Sequence, residues 1–192
     1  NPGGEDRISA LPDHILLDIL ERLDLHTAIQ ASTLSRRWAQ LPRSLSRLRI
    51  HAAHFLPRDR KRAQSIGHTV GNVMDSGNTD CLEFTILADI GHPEYEQCLL
   101  FGERLMSFSQ SCPVAFKWLT RLILEYITFG DSDIHNLLST CNKLELLSLT
   151  YCDAVINPVT GEEPILTIDA PQSGLLALEV TTCGYARIDL IQ

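Results

Sequence analysis

The chain has 192 residues, 44% of them hydrophobic and 21% charged, which excludes a disordered polymer and allows one core of ordinary size or a small module joined to part of a larger domain. No apolar run approaches the roughly 18 residues that a membrane-spanning helix requires. The net charge of −8 is uneven: residues 1–65 carry 11 Lys and Arg against 7 Asp and Glu, residues 66–192 carry 5 against 17, and this acidic majority argues against nucleic acid as a partner.

The opening stretch Asn1-Pro2-Gly3-Gly4-Glu5-Asp6-Arg7 is polar, has no apolar segment and is not expected to act as a secretory signal. No Met opens the chain and a regular pattern is under way at Gln192, so a piece of a longer protein is expected.

Three zones follow in order. In the first, about Arg7 to Arg49, Leu11-Pro12-Asp13 predicts a helix start. Proline suits the first helical position because its missing N–H would be an orphan there. Asp13 falls in the first turn, where the helix dipole favours a negative charge. Ile15, Leu16, Ile19, Leu20 and Leu23 then recur at helical spacing and are expected on one face. A second short helix is expected over Leu25 to Ser32, capped by Asp24, and a third over Leu34 to Leu41, ended by Pro42. Three short amphipathic helices in so few residues lie near the lower limit for folding alone, and such a module usually completes its core against a partner.

The pattern Leu11-Pro12-x-x-Ile15-Leu16, a spacer, then Ala31-Ser32-x-Leu34-Ser35-Arg36-Arg37-Trp38 closely resembles the F-box as written in plants. The resemblance implies docking on a Skp-type adaptor and, through it, on a cullin–RING ubiquitin ligase. It also marks Leu11, Pro12, Ile15, Leu16, Leu20, Leu34, Arg36 and Trp38 as facing the adaptor or supporting that face.

The middle zone, His51 to Pro113, is less regular. A helix is expected from Ser65 to Met74, with a break at Asp75-Ser76-Gly77-Asn78. A strand follows over Cys81 to Leu87, then a helix over Tyr95 to Ser109, and Cys112-Pro113 is expected to break the chain. Strand, helix and strand in that order suit an atypical first repeat.

The third zone repeats itself. Leu119-x-x-Leu122-x-Leu124-x-x-Ile127 returns as Leu144-x-x-Leu147-x-Leu149-x-x-Cys152 and as Leu175-x-x-Leu178-x-Val180-x-x-Cys183. Leu166-x-Ile168-x-x-Pro171 is a partial copy, and Ile188-x-Leu190 starts another. This is the template of the leucine-rich repeat, in which each unit buries its face only against its neighbours. Cys152 and Cys183 fall on the turn position, where a buried side chain bonds nearby backbone. A helix capped by Ser132 is expected to carry Ile134, Leu137 and Leu138. The steps are 25 residues from Leu122 to Leu147, 19 to Leu166 and 12 to Leu178, which predicts an irregular solenoid with tight returns. Segments 129–134, 139–145 and 168–171 resemble grass F-box/leucine-rich-repeat proteins.

The expected fold class is therefore α+β to α/β. A three-helix F-box (7–50) precedes a linker with an atypical first repeat (51–113) and an incomplete leucine-rich-repeat solenoid (114–192), truncated at the C-terminus.

No phosphate loop, dinucleotide fingerprint, serine elbow or zinc-protease motif occurs, and no cofactor is expected. Cys81, Cys98, Cys112, Cys141, Cys152 and Cys183 form no C-x-x-C pair and are expected as reduced thiols of an intracellular protein. His51-x-x-His54 has no third ligand nearby, a Cys112–His135 nucleophile pair would be arbitrary, and Glu162-Glu163 reads as a solvated turn. Arg58-Asp59-Arg60-Lys61-Arg62 reads as a solvated loop, with a localisation or anion patch as the alternative. The expected function is a non-catalytic subunit that brings an unidentified target protein to the ligase, in the nucleus and/or cytoplasm, with no nucleic acid or membrane partner. The rivals are a scaffold that holds the adaptor without turnover of a target, a hydrolase hidden in the repeats, and a DNA-binding helix-turn-helix built on Arg36-Arg37-Trp38.

Overall fold

A computed structural model of the chain describes residues 10–23, 27, 31, 37–38, 41, 47–51, 70–71, 81–86, 91–156, 161, 164–169 and 174–191. Helix α1 spans Asp13–Glu21, as the apolar spacing predicts. Pro12 occupies its N-cap rather than the first helical position, and its carbonyl accepts from the Ile15 and Leu16 N–H groups at 3.1 Å. The expected single face divides: Leu16 and Leu20 are buried, Leu17 and Leu23 lie partly buried against the same core, and Ile15 stays 38% exposed. Of the second helix, Thr27 and Ala31 are described and helical. Of the third, Arg37 and Trp38 lie in a turn and Leu41 in a 3₁₀ turn. The other residues of both expectations lie outside the described residues, as do 75–78, the basic stretch 58–62 and Glu162-Glu163.

Strand β1 (Arg47–His51) pairs in parallel with β2 (Cys81–Ile86). His51 thus ends a strand and does not share a helical face with His54, which lies outside the described residues. Val70 and Gly71, between them, are helical. Helix α2 (Tyr95–Ser111) begins where the Gln97 side chain accepts the Glu94 N–H at 2.9 Å. Cys112-Pro113 does not simply break the chain: Pro113 starts a short helix, α3 (Pro113–Trp118), because proline is well tolerated in a first turn.

Next come β3 (Arg121–Glu125), β4 (Thr128–Phe129), α4 (Asp133–Thr140), β5 (Leu146–Thr150), β6 (Asp153–Ala154), β7 (Ile165–Asp169), β8 (Ala177–Thr181) and β9 (Arg187–Ile191). Ser132 stands at the N-cap of α4 as expected, but in a left-handed conformation (φ 63°) and without a side-chain cap bond. The Asp133 carboxylate instead accepts the Gly130 N–H at 2.8 Å.

The main sheet is wholly parallel, in the order β1-β2-β3-β5-β8. Its register sets the repeated leucines side by side: Phe84, Leu122, Leu147 and Leu178 in one row, Ile86, Leu124, Leu149 and Val180 in the next. Period-two alternation sends these rows to one side of the sheet, and Leu122, Leu124, Leu147 and Leu149 are fully buried there. Phe84 stacks on Phe116 (centroids 5.1 Å), and Phe108 meets both rings edge-on at 5.6 Å, joining β2, α2 and α3 in one core.

The tight returns expected around Leu166 do not occur. Strand β5 pairs directly with β8, and β7 leaves the series to pair with β9, with Leu166 opposite Ile188 and Ile168 opposite Leu190. Strand β7 packs against α4, so its buried Leu166 and Ile168 complete the far side of the core. Pairs β4–β6 and β7–β9 thus form two small parallel sheets apart from the main one.

Candidate functional site

Two surfaces are candidates for contact with another protein, and the residues singled out in the sequence belong to the first. The first surrounds α1. Leu16, Leu20 and Trp38 are at most 3% exposed, so these three side chains belong to the core. Leu11 is half-buried, Pro12 is exposed and Ile15 is partly exposed, which leaves a short apolar strip on the outside. Leu34 and Arg36 lie outside the described residues.

Arg37, which the sequence placed in the motif but not among the adaptor-binding residues, ties the two ends of the module together. Its Nε donates to the Asp13 carboxylate at 2.7 Å and its Nη2 to the Leu11 carbonyl at 2.6 Å. The planar guanidinium can serve a carboxylate and a carbonyl at once, a geometry lysine lacks. The contact holds the Leu11-Pro12 start against the Arg37-Trp38 turn. The spacing of Asp13 and Arg37 gives no signal of this, because 24 residues separate them.

The second is the other face of the main sheet, on which Glu83, Thr85 and Ser148 are buried and Glu179 is exposed. Glu83, Arg121, Leu146 and Ala177 share one row, and Thr85, Ile123, Ser148 and Glu179 the next. Glu83 is largely buried but has Arg121 Nε at 3.2 Å, and Thr85 donates to it at 3.4 Å. Each of β3, β5 and β8 is followed by a residue in the left-handed region: Tyr126 (φ 55°), Tyr151 (φ 51°) and Thr182 (φ 52°). The chain turns there, and the ladder persists, since the Tyr126 N–H donates to Thr150 O and the Tyr151 N–H to Thr181 O, both at 3.0 Å. The two tyrosine rings stack at 4.8 Å with a 9° interplanar angle, and His92 Nδ1 lies 3.0 Å from the Tyr126 hydroxyl. This aromatic edge was also missed in sequence. Its signal was present: Tyr126 and Tyr151 sit at the same offset from Leu122 and Leu147.

Cys152 and Cys183 take the turn positions expected of them. Cys152 Sγ lies 3.5 Å from Leu124 O and 3.4 Å from Thr150 O, and Cys183 Sγ lies 3.5 Å from both Leu149 O and Thr181 O. Burial pushes the Cys112 thiol up to about 11 and the Cys141 thiol up to about 12, which suits neither as a nucleophile at neutral pH. Among the described residues, no group of three His, Cys, Asp or Glu side chains is placed to hold a metal ion. No helix among them is long and apolar enough to cross a membrane.

Residues 8–50 match the F-box domain family. They include α1, the Arg37–Asp13 tie and β1 up to Ile50. The particular relatives are plant proteins. The chain is 28% identical over 210 residues to an F-box/FBD/LRR-repeat protein of Arabidopsis thaliana, which covers 91% of this chain and 44% of the relative. It is 28% identical over 181 residues to an F-box/LRR-repeat protein of the same plant, covering 78% of this chain and 39% of the relative. A third match, to another Arabidopsis F-box/FBD/LRR-repeat protein, is 55% identical over 38 residues, or 20% of this chain and 8% of the relative. The chain therefore spans less than half the length of these relatives. An N-terminal F-box followed by mixed helix and strand, in a protein resembling plant F-box/LRR proteins, is the class these findings support.

Proposed function

We propose that the chain is the target-selecting, non-catalytic subunit of a Skp–cullin–F-box ubiquitin ligase. Residues 8–50 dock on a Skp-type adaptor, and the remainder presents a surface to a target protein. The observation that carries this reading is the F-box match at the segment where Leu11, Pro12 and Ile15 leave apolar surface uncovered. Leu11, Pro12 and Ile15 make the contact, with Leu34 and Arg36 assigned to it by resemblance alone. Leu16, Leu20 and Trp38 hold its shape from within. A small module with apolar surface left outside gains by burying it against a partner.

The main sheet is read as a leucine-rich-repeat solenoid, and the segments noted above resemble grass members of the plant family. In-register parallel pairing of the repeated Leu122, Leu147 and Leu178 supports the first part of this reading. The Tyr126–Tyr151 edge, where Tyr151 is exposed, is then the natural place for a target. Holding the target's lysine near a loaded conjugating enzyme supplies the rate by proximity, and the chemistry stays with other subunits. The protein acts in the nucleus and/or cytoplasm, and neither nucleic acid nor membrane enters this account.

A pull-down with a purified Skp-type adaptor tests the proposal. Wild type is expected to be retained, and Leu11→Ala/Pro12→Ala to lose most of that retention while keeping its circular dichroism. A folded wild type that no Skp-type adaptor retains overturns the ligase reading.

A further inference from the structure

Two of the six cysteines stand on neighbouring turns of the main sheet. Strands β5 and β8 are paired in register up to Thr150 and Thr181, and the Tyr151 N–H to Thr181 O bond carries the register one residue further. Cys152 and Cys183 are the next residues but one after Thr150 and Thr181. Adjacent strands run about 4.8 Å apart, inside the roughly 4.4–6.8 Å Cα separation that a disulfide accepts. On the preceding turn the equivalent position is Ile127, so this file of side chains holds two thiols and no third.

The two thiols differ. Cys152 is fully buried, whereas Cys183 is half-buried at the last strand of the main sheet. The Cys152 backbone N–H donates to Cys183 Sγ at 3.3 Å. The neighbouring Cys152 thiol and that N–H hold the Cys183 thiol below its ordinary range, against opposition from its own burial and from the Asp153 carboxylate. The same thiol pair drives Cys152 far above the ordinary range. Two other groups face the pair. Asp153 accepts the Gly184 N–H at 2.6 Å, and the buried Tyr185 hydroxyl has no hydrogen-bond partner among the described residues. A partly exposed thiol with fixed donors, beside a second thiol within reach, is the arrangement found in oxidation-sensitive cysteines.

We propose that Cys183 and Cys152 form a peroxide-reactive dithiol, with Cys183 as the attacking sulfur and Cys152 as the resolving one. In the first step the Cys183 thiolate attacks one oxygen of a hydroperoxide. The O–O bond breaks, hydroxide or alkoxide leaves with a proton, and Cys183 becomes a sulfenic acid. In the second step the Cys152 sulfur attacks the Cys183 sulfur. The S–O bond breaks, and the leaving hydroxide takes the Cys152 proton as water. The two thiols lose two electrons in all, and the hydroperoxide gains them. The resulting disulfide ties β8 covalently to β5 at the edge of the sheet.

The test treats the fully reduced chain with one equivalent of hydrogen peroxide at pH 7, blocks remaining thiols with a maleimide, and maps peptides without reduction. The expected result is a Cys152–Cys183 linked peptide as the first oxidised product. Cys183→Ser should lose that product entirely. Cys152→Ser should halt at a Cys183 sulfenic acid, trapped by dimedone, which shows that Cys183 still reacts when its resolving partner is gone. If another thiol such as half-buried Cys81 is oxidised first, or if Cys152→Ser yields no dimedone adduct on Cys183, the proposal is overturned.

Discussion

Thr120 shows how much one hydroxyl can hold. Its Oγ1 accepts the Leu82 N–H at 3.1 Å and donates to Leu82 O at 3.0 Å, while its own carbonyl takes the Glu145 and Leu146 N–H groups at 2.8 and 3.1 Å. Thr120→Val keeps the shape but strands a buried N–H, so a loss of about 1–3 kcal/mol is expected in urea unfolding. Tyr185 is the reverse case. Its buried hydroxyl has no partner among the described residues, so Tyr185→Phe should leave the urea midpoint unchanged or raise it. A marked loss would mean that the hydroxyl is satisfied after all. On α1, Leu16→Ala should cost about 2–5 kcal/mol by opening a cavity, a stability effect distinct from any effect at the proposed adaptor contact.

Among the elements, α2 meets β4 at Gly102, where a Cβ would overlap the Thr128 carbonyl oxygen. Backbone cannot yield as a flexible side chain does, so Gly102→Ala should destabilise by about 1–3 kcal/mol despite its better helix propensity, read as a lowered midpoint in thermal unfolding. The elements also show what was legible in sequence. Helices α1 and α2, strand β2 and the leucine rows of β3, β5 and β8 followed from period and spacing, because each carries its apolar residues at a regular interval. What escaped depended on long-range placement. Ile165 to Asp169 carries the same alternation whether it joins the main sheet or pairs with β9, and only the fit of Leu166 and Ile168 beside α4 decides between them. Arg37 reaching Asp13 is likewise a contact between segments that local pattern does not join. The apolar spacing marked helix α1, but period alone could not tell buried Leu16 from exposed Ile15, its immediate neighbour.

For the molecule as a whole, buried thiols set an alkaline limit. Cys112 and Cys141 titrate near 11 and 12 when folded and near 9 when unfolded. Above pH 9 the unfolded chain releases these protons and the folded chain keeps them, so stability present below pH 9 is lost as pH rises toward 12. The urea midpoint should therefore fall between pH 9 and 11, and Cys141→Ala, though less stable at pH 7, should show a shallower fall. A pH-independent midpoint over that window would contradict this.

The central claim concerns the outer face of α1, and a calorimetric titration against a purified Skp-type adaptor tests it most directly. Ile15→Asp places a charge on the exposed strip, whereas Leu176→Asp changes a residue that is 83% exposed at the far end of the main sheet. The account predicts that wild type and Leu176→Asp bind alike and that Ile15→Asp weakens binding by on the order of tenfold or more, with its urea midpoint little changed. Equal binding by Ile15→Asp, or no binding by the folded wild type, would contradict it.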